Sequence, residues 1–320
     1  MVRFTNFIAV AALGFVVGAA CNKADKAGGG AAGGDAVALI PADSEMVIGL
    51  NFAQLEQSAL WKQYAPKLMD KMSGKLTEFK TACGFDPMDA FKSMTLGMKN
   101  LSDKPGAQPD GVVVVKGPDK AKMMACMDKY KAEAAKEGTE VTVDGDVVLI
   151  KDKENRNAAM TFINDSTMVV TIGTAATKDG VKAAAKGGNG LKSSATFNDM
   201  FSKINTGDSL WIMVNGNSPL LDKASVIGKP KAVYGSVNVT DGLAVDMHVK
   251  AESPDAAKSL VDMVKGETDS PQVKGMVDKI EITNAGDDAH FVVAMSSQKL
   301  QNLVSMFGGM MGMMGGGAGQ

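Results

Sequence analysis

The chain has 320 residues, with 34 basic against 36 acidic side chains and a formal charge of −2. That balance, with no basic block, argues against nucleic acid as a partner. Hydrophobic residues make up 45% and charged ones 22%, ordinary values for a globular fold, and the length allows two domains or one large one.

The first element is a leader. Arg3 supplies a positive start, and the stretch from Phe7 to Ala20 carries no charge. A bilayer-spanning helix needs about 20 apolar residues, so this shorter run suits an export signal over 1–20. Gly18, Ala19 and Ala20 then lead directly into Cys21. This resembles the lipobox of bacterial lipoproteins, in which small residues precede a cysteine that receives diacylglycerol. It departs from that pattern at Gly18, where Leu, Val or Ile is usual. The resemblance implies lipidation of Cys21, a membrane contact through the N-terminal lipid, and residence in the cell envelope. Asn22 rather than Asp follows the cysteine, which under the enterobacterial sorting rule points to the outer membrane, facing the periplasm or the cell surface. The Gly/Ala-rich residues from 22 to 35 read as a flexible tether between lipid and fold.

The folded region alternates short apolar strands with single amphipathic helices. A strand is expected over 45–51. A helix over 55–72 carries Trp61, Tyr64, Leu68 and Met72 on one stripe and meets a breaker at Pro66. Residues 93–99 alternate as a strand, and GVVVVK over 111–116 reads as a buried one. Pro118 and Asp119 open a helix over 118–135. A hairpin over 140–152 is expected to turn at Asp144-Gly145, and a second over 158–173 near Asn164-Asp165. A helix over 178–186 precedes the glycine-rich 187–190.

Residues 201–307 repeat much of this order. Strands are expected at 210–215, 232–239 and 243–251. Ser253-Pro254-Asp255 starts a helix, with Ser253 as its N-cap. Strands at 279–283 and 289–296 and a helix over 297–306 complete the unit. The pattern predicts an α+β fold of antiparallel sheets with helices on one face, built from two related ββα-type units, 36–200 and 201–307. The CGFDP motif and the strand-Pro-Asp-helix starts resemble a poorly characterised group of exported bacterial proteins with duplicated ββα units. That resemblance implies no known activity.

Cys83 and Cys126 are the cysteines left beyond Cys21. Two thiols in an exported protein most simply pair, and closing that loop stabilises by roughly 2–4 kcal/mol. Two buried thiols are the alternative. Neither lies in a CxxC, so redox catalysis has little support.

Chemistry is sparse elsewhere. The two histidines, His248 and His290, lie within separate expected strands and read as packed or edge residues. No phosphate loop or nucleophile motif occurs, and no catalytic residue, cofactor or firm metal ligand set is expected. The tail over 308–320 reads as disordered. Its Met310, Met311, Met313 and Met314 are a weak candidate set for Cu(I), since thioethers are soft ligands. The leading expectation is a non-enzymatic envelope lipoprotein with a binding or scaffolding role toward an envelope protein. A carrier of a lipid or other apolar ligand, motivated by the 23 methionines, and an enzyme of unfamiliar type are the alternatives.

Overall fold

The computed structural model describes residues 35–303, apart from 60, 64–76, 78, 82, 103–107, 137, 189 and 223–227. The leader, Cys21, the tether up to 34, the Pro66 break and the four tail methionines lie outside the described residues.

Alternating and continuous apolar runs produce twelve strands among those residues. They are β1 (Met46–Asn51), β2 (Ser93–Lys99), β3 (Asp110–Lys116), β4 (Glu140–Asp144), β5 (Val147–Lys151), β6 (Asn157–Asn164), β7 (Thr167–Ile172), β8 (Leu210–Asn215), β9 (Ala232–Asn238), β10 (Gly242–Lys250), β11 (Lys279–Ala285) and β12 (Asp288–Ser296). All join one sheet in the order β11-β12-β10-β9-β8-β1-β2-β3-β7-β6-β5-β4, and every neighbouring pair is antiparallel. The two expected units therefore share a sheet, joined where β1 pairs with β8. Trp211 of β8 lies opposite Gly49 of β1 in that pair, and a Cβ at Gly49 would sit 1.9 Å from the indole nitrogen.

The expectation of helices on one face is corrected. A run of consecutive apolar residues in a strand needs cover on both sides, and the run from Val112 to Val115 in β3 has it. Val112 and Val114 point into one buried cluster, Val113 and Val115 into another. The first cluster is roofed by α2 (Lys178–Lys186), through fully buried Val181, and by α3 (Ala195–Phe201), through Phe197 and Met200. The second is roofed by α1 (Lys120–Lys136), through Met123, Cys126 and Met127. On that same side, α4 (Pro254–Thr268) buries Ala257 and Val261 against Ile282 and Ala289 of β11 and β12.

Local chemistry sets the helix starts. Asp119 precedes α1 rather than opening it, and its carboxylate accepts from the Lys122 amide at 2.8 Å. Thr177, Ser194 and Ser253 cap α2, α3 and α4, each accepting from a backbone amide three residues on. A six-residue helix, α5 (Pro271–Met276), follows α4 and was not anticipated. The first hairpin turns one residue later than expected: Asp144 pairs with Val147, leaving Gly145 (φ 65°) and Asp146 as the loop.

Candidate functional site

The roofed face runs out before the sheet does. Among the described residues its buried cluster extends from Val147 on β5 to Trp211 and Met213 on β8 and to Tyr234 on β9, and ends there. Beyond β9, the same face of β10 and β12 carries Asp246, His248, Asp288 and His290 instead of core residues. Register puts them together. Tyr234 pairs with His248, and His248 with His290. The three rings stack across three strands, Tyr234 on His248 at 4.8 Å and His248 on His290 at 4.1 Å between centroids.

Asp288 anchors this row from below. It is buried, and its Oδ2 accepts from the Tyr234 hydroxyl at 2.6 Å and from Lys203 Nζ at 2.8 Å. Its Oδ1 lies 3.2 Å from His248 Nδ1. Burial opposes ionisation of Asp288, but the donors Lys203 and Tyr234, with the charge of His248, outweigh it and hold the carboxyl below its ordinary range. Lys203 is in turn pushed upward by its bond to Asp288, and burial together with Asp288 pushes the Tyr234 phenol up. Lys203 follows α3, so the helix that ends the roofed face also delivers the cation at its border.

The outer half of the row faces solvent. Asp246 Oδ1 lies 2.7 Å from His290 Nε2 and 3.6 Å from His248 Nε2. The side chains of Asp246 and His290 are 45% and 33% exposed, that of His248 only 11%. Burial, reinforced by neighbouring His290, lowers the His248 pKa against the pull of Asp288 and Asp246. One ligand atom from each of Asp246, His248 and His290 lies within 4.8 Å of the other two. Next to this row, buried Asp208 accepts from Ser236, Asn238 and Asn205 at 2.7, 2.8 and 2.9 Å. Burial raises its pKa.

His248 is a packed residue, stacked between Tyr234 and His290, and the two histidines are cross-strand partners in one polar cluster rather than isolated from each other. In the sequence, the alternation Asp246-x-His248 and Asp288-x-His290 places each carboxylate and histidine on one face. Only the β10–β12 register brings the two pairs together, and α4, α5 and β11 separate them along the chain. Cys83 and Cys126 are joined in a disulfide, with Cα atoms 4.4 Å apart, tying the segment before β2 to α1. Six methionines, Met94, Met98, Met123, Met127, Met160 and Met168, pack in the buried cluster under α1. A cavity of about 420 Å³ lies between α4, α5 and β11 and is rimmed by Lys265, Asp269, Lys274, Asp278 and Lys279.

Comparison with known proteins adds a distant likeness. No family model and no curated protein matches the chain. Among solved structures it is similar to crystal form III of TP0453, at a TM-score of 0.47 and 7% identity, over 84% of this chain and 97% of that one. Crystal form I of TP0453 gives a TM-score of 0.41 and 8% identity, over 84% and 96%.

Proposed function

We propose that this is an exported lipoprotein, held to the bacterial envelope by a lipid on Cys21 and the tether over 22–35, whose folded part works by binding rather than by catalysis. Its address is the outer membrane, facing the periplasm or the cell surface. The observation that carries the binding reading is the face of β10 and β12 beyond Tyr234, where the buried cluster stops and an ordered polar row takes its place. Ordering such a row in a partly solvated place costs conformational freedom. A surface kept merely soluble has no need of it. Both oxygens of Asp288 are engaged by three side chains, an arrangement that holds groups still rather than leaving a free base. The apolar-carrier alternative draws no support from the charged rim of the 420 Å³ cavity or from methionines that fill a core.

The two halves are further proposed to descend from one duplicated unit. Outward from the β1–β8 pair, the order is β1-β2-β3-β7-β6 on one side and β8-β9-β10-β12-β11 on the other. The hairpin strands β4 and β5 extend the first half alone.

Native mass spectrometry of the protein extracted from its envelope tests the binding reading. The wild type is expected to retain a species that an Asp246→Lys variant loses. An apo mass for both proteins, or retention unchanged by Asp246→Lys, contradicts it.

A further inference from the structure

We propose that Asp246, His248 and His290 form a site for a divalent transition-metal ion of the zinc class, supported from behind by Asp288. The proposal rests on the reading of this face as a binding surface and names its ligand class.

The placement of the ligand atoms leads there. Asp288 Oδ1 lies 3.2 Å from His248 Nδ1, while its Oδ2 already accepts from Tyr234 and Lys203, so the His248 tautomer with its proton on Nδ1 completes the hydrogen bonds of that carboxylate. In that tautomer His248 Nε2 carries the lone pair, 3.6 Å from Asp246 Oδ1. His290 Nε2, 2.7 Å from the same oxygen, supplies a third ligand atom from the neighbouring strand. One ligand atom from each of Asp246, His248 and His290 lies within 4.8 Å of the other two, close enough to share one ion.

The donor set matches the ion class. Two imidazole nitrogens and one carboxylate oxygen suit zinc and its neighbours, and three protein ligands leave a coordination position open. Here the open side faces solvent, where Asp246 and His290 are most exposed. An imidazole ligand whose other nitrogen donates to a carboxylate is the usual support for such an ion, because it fixes the tautomer and raises ligand basicity. Asp288 fills that role for His248, and Lys203 with Tyr234 fixes Asp288.

Binding needs one local movement. The two imidazoles stack within 7° of parallel, whereas ligand bonds of about 2.0–2.2 Å lie in each ring plane. The partly exposed His290 ring must therefore turn off its stack, while His248 stays fixed between Tyr234 and Asp288. The ion replaces the proton on His290 Nε2. That proton passes through water to Nδ1 of the same ring.

The full-length protein, without a polyhistidine tag and extracted in mild detergent, is titrated with Zn(II) against a chromophoric chelator and with Co(II) by visible absorption. One equivalent is expected to bind, with Co(II) bands of nitrogen and oxygen ligation. His290→Ala and Asp246→Ala, both at partly exposed positions, are expected to weaken binding by more than about tenfold while leaving the circular dichroism spectrum intact. Asp288→Asn is expected to weaken it by about 10–100-fold without changing the stoichiometry. Removing 308–320 is expected to change nothing. Absence of Zn(II) binding by the folded wild type, or binding indifferent to His290→Ala and Asp246→Ala, overturns the site. A non-metal species retained in the native mass spectrum, with no Zn(II) bound, overturns the metal assignment and leaves the binding reading standing.

Discussion

Asp288→Ala is the most informative stability variant, because one buried carboxylate serves three side chains distant in sequence. Its removal strands two donors. The Tyr234 hydroxyl, on a fully buried side chain, loses its 2.6 Å acceptor. His248 Nδ1–H loses its 3.2 Å partner in a site only 11% exposed. A buried donor left unmade costs about 1–3 kcal/mol. Lys203 is 35% exposed and can turn toward Asp199, 3.7 Å away, so its share is small once solvent screening is counted. The expected loss is about 3 kcal/mol, since two such donors contribute about 1–3 kcal/mol each. Asp287→Ala is the control, because that carboxylate pairs with the half-exposed Lys231 and such a pair contributes about 0–1 kcal/mol. Urea unfolding followed by circular dichroism measures both. If Asp288→Ala loses no more stability than Asp287→Ala, the account of Asp288 as the keystone of the row is refuted.

Reduction of the Cys83–Cys126 disulfide, or a double Cys→Ala variant, should lower stability by roughly 2–4 kcal/mol in the same assay, as expected for a closed loop of this order. Gly49→Ala should cost about 1–3 kcal/mol and shift tryptophan fluorescence, since its methyl group must displace the Trp211 ring. Asp152 governs part of the acid limb. Burial opposes its ionisation, but backbone and side-chain hydrogen bonds from Arg156 and the Glu154 amide outweigh that and lower its pKa below the ordinary 3.8. Its folded value lies below its unfolded one. Its contribution is therefore complete above pH 3.8 and is lost as pH falls through the folded value. Asp152→Asn should flatten stability against pH in that acid range, measured by unfolding at graded pH.

Much of the element order is legible in the sequence. Ser93–Lys99, Leu210–Asn215 and Lys178–Lys186 fall at their expected bounds, because alternation, caps and glycine punctuation act locally. Ser253 caps its helix as its type and the following Pro254 indicate. What escaped is non-local. The run from Val112 to Val115 demands cover on two faces, yet nothing near it names α2 and α3 as the second roof. Helix α3 is seven residues long and buries only Phe197 and Met200, too few for a period to stand out. The polar row is hidden for the same reason. His248 and His290 meet only through a strand register set after an intervening helix pair and strand have folded, and Lys203 reaches Asp288 from 85 residues away.

The face of β10 and β12 beyond Tyr234, which no helix among the described residues roofs, is the proposed working surface. Hydroxyl-radical footprinting of the protein in its native envelope and after purification with chelator addresses it most directly. Met263 and Met276, on α4 and α5 and each 39% exposed, serve as internal references. The account predicts that His290 is protected in the envelope and becomes reactive after purification, while both methionines react alike in the two states. Equal reactivity of His290 in both, with protection confined to Met263 and Met276, would contradict it and move the working surface to the α4 side of the sheet.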